Sequence, residues 1–468
     1  MKRVIIFLCI LTSFSIIAKA ANKEPIRAVW LTTIGGIDWP RTYSTSISSQ
    51  ERQKRELTDM LDRLRLAGIN TVLLQTRVRG TVIYPSDYEP WDGCVSGRPG
   101  RSPGYDPLQF AITEARKRGM ELHAWVVTIP IGKWNSYGCK QLRQKMPAAL
   151  KKIGDEGYMN PEAYQTADYL ANICAEIAAR YDVDGIHLDY IRYPETWKQR
   201  VNRMEARENI TNIVRRIYGR VKAINPQIKV SCSPIGKYTN LSRYNSNGWD
   251  ALNRVHQDAQ GWLRMGIMDQ LYPMMYFKGN NFYPFAINWK ENSYGKDIVP
   301  GLGIYFLDSR EGNWKIDDIK RQLYFLRSEG MGFCLFRAKY LLDNIKGIYD
   351  FLRTEYLLSE ELRVKSERLR VGDPQSGMEF RVKSEEFRGG NSAGFLANDG
   401  RTMVLPEKGK VLDADVIAFV SMAGNVITTR PYRGKRADIR AIPDGIYTLR
   451  SVNKKGVTHR VGMVYIRR

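Results

Sequence analysis

The chain reads as an α/β protein: a (β/α)8 TIM barrel followed by a charged linker and a small C-terminal β-sandwich. Three observations carry that expectation. Between Ile26 and Leu358, eight short apolar runs alternate with helical patterns or long connections. The turn after the first run holds only Gly35-Gly36 and no longer phosphate-cradling loop, which disfavours a doubly wound open sheet. From Met403 onward the pattern changes to brief apolar/polar alternation punctuated by turn residues such as Pro443-Asp444-Gly445.

The elements follow in order. Residues 1–20 read as a signal peptide. Lys2-Arg3 is a short basic start, Val4 to Ile17 is apolar, and Ala18-Lys19-Ala20 supplies small residues at a cleavage site. An apolar run of about 14 residues is short of the roughly 20 that span a bilayer. No other stretch suffices, so an exported protein with no transmembrane segment is expected, periplasmic or at the cell surface of a bacterium.

The barrel domain is expected over 25–358. Its strand candidates are 26–33, 71–77, 120–128, 185–190, 228–234, 268–277, 298–306 and 332–337. Helical patterns fall at 50–67, 107–118, 162–181, 203–224, 250–265, 316–328 and 340–356. In the first of these, Leu57, Met60, Leu61 and Leu64 recur at three- and four-residue spacing. Asp106 before Pro107 is a helix-start signal. R-V-K-S-E occurs at 363–367 and again at 381–385, so 359–391 reads as a charged linker. Residues 403–468 form the expected β-sandwich, with no cluster of catalytic type.

Lys and Arg outnumber Asp and Glu 72 to 49, a net charge of +23; losing Lys2, Arg3 and Lys19 with the leader leaves +20. Such an excess favours anionic partners. The basic residues are dispersed and no recognition helix or RNA-type aromatic motif is visible, which argues against nucleic acid. Five cysteines follow the leader: Cys94, Cys139, Cys174, Cys232 and Cys334. An odd number in no metal-ligand spacing implies neither a disulfide framework nor a metal site, and no cofactor is expected. Cys94 and Cys139 lie in loop segments and are the pair free to join; the other three read as buried thiols. Nothing in the pattern speaks to oligomeric state.

The chemistry concentrates at Asp184 to Pro194, D-G-I-H-L-D-Y-I-R-Y-P. On a period-two strand Ile186 and Leu188 share one face, His187 and Asp189 the other. Asp189 thus tips the fourth strand at its C-terminal end, where TIM barrels carry their sites. Other strand ends supply a sugar-binding inventory: Trp39 after the first strand, Gln75 and Arg77 on the second, Trp91 beyond it, and His123 and Trp125 on the third. His187, Arg192 and Tyr193 flank Asp189, and Tyr276, Tyr305 and Arg337 end strands six to eight. Flat aromatic faces suit sugar rings, while Gln, Arg and Asp bond hydroxyls and carboxylates. No nucleophile elbow, P-loop or H-E-x-x-H appears. Glycoside hydrolysis needs two carboxylates. Asp189 is the first; Asp38 and Glu195 are the candidates for the second, ahead of Glu89 and Asp308.

These residues resemble the glycosyl-hydrolase-like 10 family. The likeness spans about residues 25–357 and includes R-A-V-W-L-T-T-I-G-G-I-D-W-P, Y-P-S-D-Y-E-P-W, R-G-M-E-L-H-A-W, D-G-I-H-L-D-Y-I-R-Y-P, V-S-C-S-P-I-G, Y-P-M-M-Y-F and G-F-C-L-F-R. The resemblance implies a TIM-barrel glycosidase, with a bacterial branch that cleaves peptidoglycan glycan strands stripped of their peptides. It puts the catalytic weight on Asp189, with Asp38, His123, Tyr276 and Arg337 lining the cleft. This chain departs from some relatives in having Tyr190 where they carry a second acid, and Thr128-Ile129-Pro130 in the strand-three block. The segment is also similar to the strand of family-18 chitinases, but their catalytic Glu falls on Ile191, so that acid is missing. The expectation is an exported glycoside hydrolase acting on peptide-stripped peptidoglycan or a related amino-sugar polymer. The alternatives are a non-catalytic cell-envelope glycan-binding barrel and a glycosidase on neutral polysaccharide.

Overall fold

Runs of Val, Leu, Ile and Ala with few polar interruptions form strands that must be buried on both faces, and parallel sheets flanked by helices supply that environment. A computed structural model of the protein describes residues 24–242, 248–356 and, beyond them, Ile442 and strand segments between 395 and 466. Nine strands make one sheet: β1 (Arg27–Leu31), β2 (Thr71–Arg77), β3 (Glu121–Val127), β4 (Gly185–Asp189), β5 (Lys229–Cys232), β6 (Gln270–Leu271), β7 (Asp297–Ile298), β8 (Gly301–Leu302) and β9 (Phe333–Leu335). The order is β7-β6-β5-β4-β3-β2-β1-β9-β8, and every pairing is parallel. All residues of β2 and β4 are buried.

The two edges of this sheet are neighbouring pieces of chain. β7 pairs with β6 and β8 with β9, yet only Val299-Pro300 separates β7 from β8. The sheet therefore curls. Prolines explain why its last strands are short, since a proline has no N–H for the ladder. Their carbonyls still serve: Pro273 O accepts from Gly301 N (2.7 Å) and Pro300 O from Cys334 N (3.0 Å).

The helix over Ile47–Leu66 starts at Ser46, whose side chain accepts from Ser49 N in a reciprocal capping box, and it buries Gln53, Leu57, Leu61 and Leu64. Met60, expected on that stripe, is only half-buried. Gln53 occupies the stripe because its amide donates to Thr42 O (2.7 Å) and Val95 O (3.0 Å), so its polarity is satisfied inside. Asp106 caps the helix over Pro107–Lys117 through Gln109 N (3.0 Å).

Elsewhere the elements are shorter than the pattern suggests. The helix expected over 250–265 is two pieces, Ala251–Arg254 and Ala259–Arg264, broken where His256 takes a left-handed φ of 59°. Asn344 and Lys346 break the helix expected over 340–356 in the same way. One element goes unforeseen: a small antiparallel sheet of Pro130–Lys133, Leu150–Ile153 and Glu156–Met159, with the helix Tyr137–Lys145 inside it, follows β3.

The described residues fall into two units, 24–318 with 330–356, and 319–329 with the strand segments between 395 and 466. The second contains antiparallel strands in two sheets, Phe395–Leu396, Thr402–Val404 and Arg436–Asp438 in one, Val426–Pro431, Val416–Ser421, Gly445–Val452 and Thr458–Ile466 in the other. The expected leader (1–20) and charged linker (359–391) lie outside the described residues. No described helix is long and apolar enough to cross a membrane.

Candidate active site

The D-G that opens the fourth-strand motif is structural. Asp184 accepts from Leu122 N (2.8 Å), and a Cβ on Gly185 would stand 2.5 Å from the His123 ring, so only glycine lets β4 lie against β3 there. Asp189 ends β4 and is buried. Its Oδ1 accepts from Ser233 Oγ (2.7 Å) and Tyr190 N (2.9 Å), its Oδ2 from Trp125 Nε1 (3.1 Å). Tyr190 reaches this position with φ of 54°, a left-handed conformation that costs a non-glycine residue roughly 1–3 kcal/mol. Burial raises the Asp189 carboxyl above the usual aspartate range, against the opposing pull of Ser233, the Arg192 charge, the Tyr190 N–H and the Trp125 indole. A buried carboxylate at a strand's C-terminal end, fixed by three donors, is equipped for chemistry.

Around it stand Arg192 and an aromatic wall. Arg192 is buried, pairs with Glu195 (2.9 Å) and lies over the Tyr190 ring (4.7 Å). Tyr276, Tyr305, Phe336 and Tyr340 are half-buried and form a chain of ring contacts: Tyr276 to Phe336 at 5.6 Å, Tyr276 to Tyr305 at 5.7 Å, Tyr305 to Tyr340 at 6.3 Å. Burial, with the Asp189 charge added, pushes the Tyr276 phenol well up, so it is a neutral hydrogen-bonding group at any working pH.

The other expected site residues divide. Arg337 faces the same end of the sheet and donates to Asp38 Oδ1. Asp38 also accepts from Lys339 N (3.1 Å), Thr32 N (2.9 Å) and Thr32 Oγ1 (2.6 Å). Four donors occupy it, so it clamps the β1 turn to the chain after β9 and has no lone pair free for a substrate. Gln75 is a loop clamp too, its Oε1 accepting from Thr33 N (3.0 Å) and Ile34 N (2.8 Å).

Arg77 is fully buried and forks onto Glu89 (2.6 Å), with further donation to Val127 O and Thr128 O. Burial works against its charge, but Glu89 outweighs that and holds the guanidinium charged. It is therefore closed to a ligand carboxylate. Asp308 is held bidentately by Arg310.

Trp39 has no exposed surface and donates its indole N–H to Gln53 O (2.9 Å); it is core, with no ring face to offer a sugar. Tyr193 packs between Trp197 and His256 and accepts from Asn209, again inside. His187 lies beneath Asp189 in the sheet interior. Trp30 Nε1 donates to its Nε2 (3.3 Å), which leaves Nδ1–H facing Ser231 Oγ (3.0 Å), and burial pushes its pKa well down, so it is neutral. His123 is buried at the opposite end of its strand from Val127, 3.4 Å from Glu121. Trp91 is half-buried in the loop after β2.

Of the expected set, Asp189, Trp125, Arg192 and Glu195 come together, and Tyr276, Tyr305 and Arg337 line the same end. Ser233, which ends the fifth strand run, completes the site together with Tyr190 and Phe336, and only the last two lay outside the residues expected at the strand ends. Ser233 had a signal, since V-S-C-S-P alternates two hydroxyls onto one face of β5. Cys94 and Cys139 do not pair: both are free and buried, Cys94 beside Thr33 and Cys139 against the Gly157 backbone. Among the described residues no cluster of His, Cys, Asp and Glu is arranged to hold a metal.

The model of a family described as glycosyl hydrolase-like 10 matches residues 25–207 and 201–305. The glycosyl hydrolase DigH of Escherichia coli (strain K12) is 30% identical over 291 residues, which are 55% of this chain and 66% of that protein. The glycosyl hydrolase YngK of Bacillus subtilis (strain 168) is 28% identical over 309 residues, 60% of either chain. The chain thus spans about 60–66% of the length of these curated relatives. Among solved structures, α-L-fucosidase isoenzyme 2 from Paenibacillus thiaminolyticus aligns with a TM-score of 0.47 at 15% identity, over 72% of this chain and 50% of that one. That likeness falls below the level at which a common fold is established.

Proposed function

The chain belongs to the glycosyl hydrolase-like 10 family, and on that premise we propose that it is an exported glycoside hydrolase acting on peptide-stripped peptidoglycan or a related amino-sugar polymer. The observation that carries the reading is Asp189: a buried carboxylate fixed by Ser233, Trp125 and the Tyr190 N–H, beside an aromatic wall suited to sugar rings. We read β7 and β8 as one strand interrupted at Val299-Pro300. The sheet is then an eight-stranded barrel within a catalytic unit over 25–358, and Asp189 lies on the face where such barrels carry their sites.

In this reading the three donors hold Asp189 as an anion against the anomeric carbon, where it acts as nucleophile or stabilises the oxocarbenium charge. Glu195 is the partner that protonates the leaving oxygen. Asp38, Glu89 and Asp308 are taken up by structural donors, whereas Glu195 is open to solvent and, among the described residues, pairs with Arg192. Peptide-stripped strands bear lactyl carboxylates, which suits a chain whose net charge of +23 becomes +20 when Lys2, Arg3 and Lys19 are lost with the expected leader. The test is product analysis with purified protein on peptide-free peptidoglycan strands, chitin and a neutral polysaccharide. Fragments from the first support the reading. Cleavage confined to the neutral polymer moves the substrate assignment, and binding without fragments from any of the three makes the protein a glycan-binding barrel instead.

A further inference from the structure

Three Lys or Arg side chains are buried among the described residues: Arg77, Arg192 and Lys237. The first two have carboxylates, Glu89 and Glu195. Lys237 has none within ion-pair distance among the described residues. Its Nζ donates to the Asn281 amide oxygen (2.8 Å) and otherwise faces two rings, Phe285 at 4.7 Å and Phe277 at 5.2 Å. Taking an ammonium out of water without a counter-charge is unfavourable, and ring faces return only part of the loss. Burial accordingly lowers the Lys237 pKa.

The position of this amine ties it to the candidate site. β5 runs into Ser233, which holds Asp189, and four residues on into Lys237. Phe277 directly follows Tyr276 of the aromatic wall. Gly248 packs against the amine: a Cβ there would stand 3.2 Å from Nζ, so only glycine lets the chain come this close. Among the described residues two of its N–H groups carry no hydrogen bond, and an amine so placed, one strand round from Asp189, is suited to an anionic oxygen pair.

We propose that Lys237 is a specificity-determining residue that recognises a carboxylate carried by a substrate sugar. The proposal rests on the glycosidase reading for the identity of the ligand. The carboxylate chemistry is shared by the lactyl group of muramic acid and by uronic acids, so the test includes both.

The experiment uses the full-length protein, with Lys237→Met and Lys237→Arg, on three probes. They are peptide-free peptidoglycan strands, the same strands with their carboxylates converted to neutral amides, and a polyuronate. Turnover and equilibrium binding are both measured, and thermal unfolding confirms that the variants fold. Wild-type protein should favour the free-carboxylate strand over its amide by about tenfold or more, in line with a charge-assisted bond. Lys237→Met should bring that ratio close to one while leaving the amidated strand unaffected, and Lys237→Arg should keep part of the preference. A stronger response to the polyuronate than to the strands assigns the carboxylate to uronic acid. Equal handling of charged and amidated strands by the wild type overturns the proposal, as does an equal loss on both in Lys237→Met. If no strand is cleaved, the glycosidase reading fails, while the binding ratio still decides the role of Lys237.

Discussion

Asp189 is a carboxylate whose burial outweighs four favourable neighbours, and the pH dependence follows from that order. Its pKa in the folded protein lies above the value of about 3.9 in an unfolded chain. Between the two, the folded state binds the extra proton, so this residue's contribution to stability falls as pH rises. Catalysis by the anion runs the other way: kcat/KM should climb with pH through a limb placed above the ordinary aspartate range. Ser233→Ala removes one donor to the anion and should move that limb up by about one to two pH units, since a hydrogen bond to a charged group contributes about 1.5–3 kcal/mol. A pH–rate profile of the two proteins reads the shift directly. The location of Asp189 was legible in the chain, because an alternating apolar run that ends on an acid reads as a strand tipped by that acid. Its donors were not, since Trp125 and Ser233 come from other strands, 64 and 44 residues away, and only register brings them in. Trp39 shows the converse limit: a tryptophan after a strand reads the same whether it lies over the cleft or under it, and Gln53 O decided the matter.

Among the elements, β2 and its following loop illustrate how a residue chosen for ligands turns out to serve the scaffold. Arg77 and Glu89 are both buried, and Tyr169 donates to the same carboxylate (3.0 Å), so the loop is locked to β3 and to the helix over Tyr164–Arg180. Breaking such a pair strands a buried charge. Glu89→Ala should cost about 3–5 kcal/mol, seen as a large drop in the denaturation midpoint, whereas Arg77 substitutions should not change strand affinity in the molecules that stay folded. The strands themselves were legible from apolar runs and the principal helices from their stripes and caps, as at Asp106-Pro107. The inserted sheet over 130–159 was not, because its strands are four residues long and half-exposed, giving too few alternations to register. Its one local signal was the Gly154-Asp155 turn, with Gly154 at φ of 60°.

For the molecule as a whole, the charge of +23 makes a claim separate from any one pocket. If the excess draws in anionic strands, binding of peptide-free peptidoglycan should weaken several-fold between low salt and about 0.15 M, where the screening length is roughly 8 Å, while binding of a neutral chitin oligomer should stay level. Asp189 is the proposed centre of glycosidic cleavage, and its role can be measured. It is tested most directly by incubating wild-type protein and Asp189→Asn with peptide-free glycan strands and measuring both the reducing ends released and the strand bound. Wild-type protein should release fragments, the variant should lose at least about a thousandfold of that activity, and both should retain strand binding. Cleavage by Asp189→Asn near the wild-type rate would contradict that role.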